Sequence, residues 1–246
     1  MSEIFQLFLL PETYISLLSL TLLEIVLGID NIIFISILAG KLPANQRPKA
    51  RSLGLTVALV TRIILLCGIA WLTQLTKPLF SLNLLNLVDL HPSGKDLVLL
   101  AGGLFLIAKS AHEIYEKVEA PQHAENAVAQ AANSLGSVIF QIVLIDMVFS
   151  LDSIITAVGL VDEIAIMMVA VVISMVIMLL AAGKIGEFID RHPSIKILAL
   201  GFLLMIGTML VAEAFHYTIP KGYIYFSLTF ALFVEFVNIK ARTRKA

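Results

Sequence analysis

The sequence predicts an all-α membrane protein of about seven transmembrane helices: an inverted-topology repeat of two three-helix halves plus a final helix, with helices one and four broken. Three observations predict it. Of the 246 residues, 59% are hydrophobic and 14% charged, and the mean hydropathy is +0.96. A soluble domain carries about 25% charged residues, so this chain needs lipid as part of its solvent. Apolar runs long enough to cross a bilayer occur seven times, and one acidic motif occurs twice.

In chain order, the opening "MSEIFQLFLLPETY" has neither a basic n-region nor a small-residue cleavage site, so the first span is expected to direct insertion itself. The spans are read at 13–39, 52–76, 96–116, 134–160, 163–183, 195–215 and 222–240. A hydrocarbon core of about 30 Å needs about 20 helical residues, so spans one and four are long enough to tilt or break. Segment 77–94, "KPLFSLNLLNLVDLHPSG", is short and interrupted, and reads as an interfacial hairpin. The chain is a single transmembrane domain, 1–246, with halves 13–116 and 134–215 and an additional helix at 222–240.

Lysine and arginine set the orientation. Lys41, Arg47, Lys49, Arg51, Lys109, Lys117, Lys184, Arg191, Lys196, Lys240, Arg242, Arg244 and Lys245 lie around the ends of spans one, three, five and seven. The other side has Lys77, Lys95 and Lys221, and Arg62 lies within span two. The N-terminus is expected outside and the C-terminus in the cytoplasm. A formal net charge of -1 gives no reason to propose nucleic acid as a partner. The single cysteine, Cys67, excludes an intrachain disulfide and reads as a buried packing thiol.

The motif is "LLEIVLGIDNIIF", matched by "LIDMVFSLDSIIT" at a constant offset of 122: Glu24 with Asp146, Gly28 with Ser150, Asp30 with Asp152, Asn31 with Ser153. Spans one and four cross in opposite directions, which makes the repeat an inverted one with its site at the membrane midplane. Residues six apart on a straight helix differ by about 120° and about 9 Å. A break at Gly28 and at Ser150 would let each acid pair turn toward one site and would free backbone carbonyls to line it.

Acids at membrane depth point to function. Two carboxylates 4 Å apart repel by about 4 kcal/mol at an effective dielectric of 20, and a divalent cation or a shared proton removes that repulsion. The plainer alternative is pairing with basic groups, and only Arg62 is deep enough to serve; it is expected to pair with an acid and tune the proton affinity of the group. Glu24, Asp30, Asn31, Asp146, Asp152 and Ser153 are the expected metal ligands, with Gln141, Arg62, Gly28 and Ser150 as possible supports around them. Hard oxygen donors suit Mg, Ca or Mn. The five histidines, at 91, 112, 123, 192 and 216, lie at span ends or in loops, and no thiol cluster exists, which argues against zinc or copper(I) at mid-membrane. Residue chemistry leaves Mn, Mg and Ca open.

"LLEIVLGIDN", "DMVFSLDS", "DRHPSIK" and "PKGYIYF" resemble the TerC family of bacterial integral membrane proteins, named for tellurium resistance, over almost the whole chain. That family is related to LysE-like exporters, and members are linked to manganese export or to metal supply for secreted proteins. The resemblance implies the bacterial inner membrane, Mn2+ as the divalent substrate, no organic cofactor, and the acidic positions Glu24, Asp30, Asn31, Asp146, Asp152 and Ser153. Tellurite is not taken as the substrate.

Other acids read more plainly. Glu213 and Glu235 sit near span ends as solvated groups, and "HEIYE" at 112–116 lacks the second histidine of a zinc-protease helix. Glu119, His123 and Glu125 in the loop 117–133 read as a solvated linker ahead of a metal sensor. The leading function is a divalent-cation transporter rather than an enzyme, and charge balance allows proton exchange through the same acids. The alternatives are a metal-delivery accessory for secreted proteins and an intramembrane aspartyl enzyme, against which the duplication of the acids and the absence of a GxGD-type motif both argue.

Overall fold

The computed structural model describes residues 11–68, 75–77, 82–84, 88–90, 92–119, 134–158 and 163–243. Its helices are α1 (Pro11–Leu27), α2 (Ile29–Ala39), α3 (Arg47–Cys67), α4 (Gly94–Val118), α5 (Leu135–Val158), α6 (Ile164–Arg191), α7 (Pro193–Ala214) and α8 (Lys221–Thr243), with short strands β1 (Leu82–Leu84) and β2 (Val88–Leu90) between α3 and α4. With α1 and α2 taken as one span, 7 helical segments among the described residues are long and apolar enough to cross a membrane. The expected count of spans is met. The helices group into two compact units: residues 1–75 with 130–187, and residues 76–129 with 188–246. Each sequence half gives two spans to the first unit and one to the second.

In the first unit, α3 lies against α5 and both flank α2. Gly54 permits the close approach of α3 to α5, since a Cβ there would stand 2.9 Å from Ile142 Cδ1. The dry interior is aliphatic: Ile35, Leu38, Leu66, Ile142, Ile145 and Met178 are almost fully buried. Tyr14, Ile15, Leu18 and Leu22 on α1 are exposed. In a bilayer such apolar side chains face hydrocarbon, at no hydrophobic cost.

Gly28 interrupts the first span for one residue: its amide donates to the Ile25 carbonyl three residues back (3.2 Å), and Ile32 N–H resumes the ladder on the Gly28 carbonyl (3.2 Å). The result is a tightened turn rather than an opened loop. The fourth span is different. The expected break at Ser150 does not occur, because α5 runs unbroken through it. Ser150 Oγ donates to the side chain one turn back, Asp146 Oδ2, at 3.2 Å, and so leaves the backbone ladder intact.

In the second unit, α4 and α7 cross where two glycines meet. A Cβ on Gly103 would lie 2.7 Å from the Gly207 carbonyl oxygen, and one on Gly207 would lie 2.9 Å from that of Gly103. Small residues at such crossings let backbones touch, the usual basis of tight helix pairs in lipid. A capping box starts α4: Ser93 Oγ accepts from Asp96 N–H (3.2 Å), and Asp96 Oδ2 accepts from Ser93 N–H (2.8 Å). Pro193, whose missing N–H is no loss in a first turn, starts α7. The hairpin expected in 77–94 is present as the antiparallel pair β1–β2, with Leu82 opposite Leu90. Helix α8 packs on α7, burying Ile224 and Leu228, while Tyr223, Phe226, Phe230 and Phe233 stay exposed.

Three readings of single residues need correction or completion. Cys67 is exposed at the end of α3, not buried; it lies past the last turn that packs inward at Leu66. Glu213 is not simply solvated but bonds Lys95 Nζ at 3.0 Å. His112 and Glu116 form an exposed pair one turn apart (3.2 Å), an ordinary helix-end contact. The loop reading that involves His123 and Glu125 lies outside the described residues.

Candidate cation site

Two matching stripes build the site within the first unit. On α1–α2, Glu24, Gly28 and Asn31 fall at i, i+4 and i+7, which is one face of a helix, and all three are buried. On α5, Asp146, Ser150 and Ser153 repeat that spacing and are buried too. Arg62, from the middle of α3, is 2% exposed and enters between the stripes.

The guanidinium joins them. Arg62 Nη1 donates to Glu24 Oε2 at 2.7 Å, while Nη2 and Nε donate to Asp146 Oδ1 at 3.0 and 3.3 Å. Asn31 Nδ2 donates to the same Oδ1 at 3.2 Å, and Ser150 Oγ satisfies Oδ2. The expected pairing of Arg62 is therefore seen, and with both repeat-matched acids rather than one. Each of the three charged side chains is 3% exposed, so none is screened by bulk water. Removing one member of such a buried set typically costs about 3–5 kcal/mol, because its partner is left uncompensated.

The remaining candidates divide. Asp152 is buried on α5; along that unbroken helix it stands about 9 Å beyond Asp146 and about 120° around the axis. Ser153 Oγ donates to the Ser150 carbonyl at 3.3 Å. Residue 30 follows the Gly28 turn on α2, and its side chain lies outside the described ones. Gln141 does not join the site: its amide donates to the Ser137 carbonyl (3.3 Å) and hydroxyl (3.2 Å), since five residues back on α5 is more than a turn away and on another face. Among the described residues, no three His, Cys, Asp or Glu side chains converge as a set able to hold a metal. The two facing carboxylates, the Asn31 amide and the Ser150 hydroxyl are the hard-oxygen donors brought together.

Sequence reasoning missed two neighbours. Met178 of α6 lies on Gly28, whose added Cβ would fall 3.0 Å from Met178 Cε and closer still to its sulfur. Thr21, one turn before Glu24, is buried, and its hydroxyl has no hydrogen-bond partner among the described residues. A small, mainly apolar cavity adjoins Glu24, lined also by Leu20, Leu66, Ile154, Ala157 and Met167. The i, i+7 spacing of Glu24 and Asn31 is the sequence signal for the shared face.

Comparison with known proteins places the chain in context. The family described as "Integral membrane protein TerC family" matches residues 9–246. A UPF0053 protein of Haemophilus influenzae is 50% identical over 232 residues, covering 94% of this chain and 95% of its own. The UPF0053 inner membrane protein YgdQ of Escherichia coli K12 is 50% identical over 229 residues, 93% of each chain. The UPF0053 inner membrane protein YoaE of the same strain is 48% identical over 232 residues, which is 94% of this chain and 44% of that longer one. No solved structure matches.

Proposed function

The chain belongs to the TerC family of integral membrane proteins, and from that premise we propose that it is a divalent-cation transporter, with Mn2+ as the substrate and export as the direction. One observation carries the reading: Glu24 and Asp146, which occupy matching places in a duplicated motif, come from separate spans to share one buried cation, the Arg62 guanidinium. Intramembrane acids of this kind mark ion pathways, and duplicated helices that meet at a site are the plan of many secondary transporters.

The chemistry follows from the donors. Two carboxylates with an amide and a hydroxyl form a hard-oxygen set suited to Mn, Mg or Ca, and the family resemblance supports manganese among them. With the ion bound, the pair is neutralised by its cargo. After release, the carboxylates take up other positive charge, and a proton entering from the far side would couple export to the proton gradient. The charge asymmetry of the loops supports an N-terminus outside, which would make the cavity beside Glu24, lined from Leu20, Leu66, Ile154 and Met167, the exit side.

The test is ion flux in sealed proteoliposomes, for Mn, Mg, Ca and Zn, with and without a proton gradient. Manganese should move fastest, and Glu24→Gln should abolish most of the movement. A wild-type protein that moves none of the four would sink the transport reading. Tight Mn2+ binding without flux would favour the metal-delivery accessory instead.

A further inference from the structure

We infer that Arg62 is a built-in counter-cation: it competes with the transported metal for Glu24 and Asp146 and takes the metal's place once the metal has left. The inference rests on the transport reading above and adds a role within the cycle to it.

The geometry is that of a tethered substitute for the ion. Arg62 reaches both acids from a third helix, α3, so its hold on them is a side-chain contact, independent of the backbone that carries the acids. Three of its hydrogen bonds go to one oxygen of each carboxylate, Glu24 Oε2 and Asp146 Oδ1. An incoming cation needs oxygens of those same two groups. Guanidinium does not lose its proton in proteins, so Arg62 cannot step aside by neutralising; it must withdraw as a charge. It is also flexible at four side-chain torsions, and guanidinium is more weakly hydrated than ammonium, so leaving and returning are both feasible in a dry site.

Charge arithmetic favours exchange over joint occupancy. Two carboxylates and Arg62 sum to -1. A divalent ion added beside Arg62 gives +1, with two cations crowded onto two acids. An ion that displaces the guanidinium leaves the carboxylate pair neutral. Conversely, with the ion gone and Arg62 absent, two buried carboxylates would face each other uncompensated, a state that the protein must avoid in order to rearrange. A carrier that supplies its own cation can return without metal.

The measurement separates three quantities in Arg62→Gln at about pH 8: Mn2+ affinity, Mn2+-for-Mn2+ exchange, and net efflux into metal-free buffer. Losing the competitor should tighten Mn2+ binding by about tenfold or more. Exchange, which never requires the metal-free carrier to reorient, should persist. Net efflux should fall by about tenfold or more, and Arg62→Lys, which keeps the charge, should restore part of it. If Arg62→Gln weakens binding and slows exchange and net efflux alike, Arg62 only shapes the site and the inference fails. Should that variant not fold, the wild type carries the test. In protein labelled with 15N-arginine, added Mn2+ must shift a guanidinium infrared band, and an unchanged spectrum overturns the inference. A wild type that neither binds nor moves Mn2+ would instead overturn the transport reading, so the two failures are distinguishable.

Discussion

The two copies of the acidic motif reach the same destination by different backbones. In the first, Gly28 divides α1 from α2 with a three-residue hydrogen bond to Ile25; in the second, α5 continues through Ser150. Yet Glu24 and Asp146 finish on the same guanidinium. The difference lies in what surrounds each central residue. A Cβ on Gly28 would press on Met178 and stand 2.9 Å from the Glu24 carbonyl, so any side chain there forces its surroundings to shift. Ser150 is fully buried too, but its hydroxyl is used, as the donor that holds Asp146 Oδ2. One copy makes room for a neighbouring helix; the other spends the same position on orienting its acid. The motif therefore fixes a face and a charge, and the residue at its centre decides the local backbone.

That comparison can be broken or sharpened by substitution. Outside the shared pair itself, the largest effect is expected at Asp152, which shares α5 with Asp146 but stands about 9 Å further along. Asp152→Asn should slow Mn2+ flux by about tenfold while leaving Mn2+ affinity within about threefold, if the residue serves the path rather than the shared pair. Parallel losses in both would make it a direct ligand.

The central residues should respond unequally. Gly28→Ala forces a methyl toward the Glu24 carbonyl and Met178, and overpacking of this kind costs about 1–3 kcal/mol. Ser150→Ala loses one hydrogen bond to a carboxylate, worth about 1.5 kcal/mol, without steric conflict. Thermal unfolding in detergent should rank Gly28→Ala as the more destabilised, and a Gly28→Ala variant as stable as wild type would mean that α6 can retreat from α1. The smallest effect is expected in the second unit. Lys95 and Glu213 are partly exposed (side chains 19% and 21%), so Glu213→Gln should change stability by less than about 1 kcal/mol and leave flux unaltered.

Much of the fold was legible because membrane helices declare themselves by length and apolarity, and lipid allows few other solutions. The seven spans and the hairpin in 77–94 followed from that rule. The acids were legible because charge at membrane depth is rare, and Arg62 because it was the one base available to them. The continuity of α5 was not: a serine is neutral enough in a helix that the sequence does not say whether it bends. Met178 was not legible either, since a methionine in an apolar run announces nothing about which helix it will touch. Gln141 misled because side-chain chemistry was weighed before helical phase. The glycine crossing was not legible either, because a glycine in an apolar run does not say which helix it will meet.

The central claim is that Glu24 and Asp146 hold one cation together, and a double-mutant cycle on equilibrium Mn2+ binding tests it most directly. Glu24→Gln and Asp146→Asn keep shape and hydrogen bonding while each removes one formal charge. The account predicts that either change alone weakens Mn2+ binding by about a hundredfold, and that the double variant is weakened far less than the product of the two, with a coupling of about 1–3 kcal/mol. Single effects that multiply, with no coupling, would mean that the two acids serve separate ions, and the shared site would be contradicted.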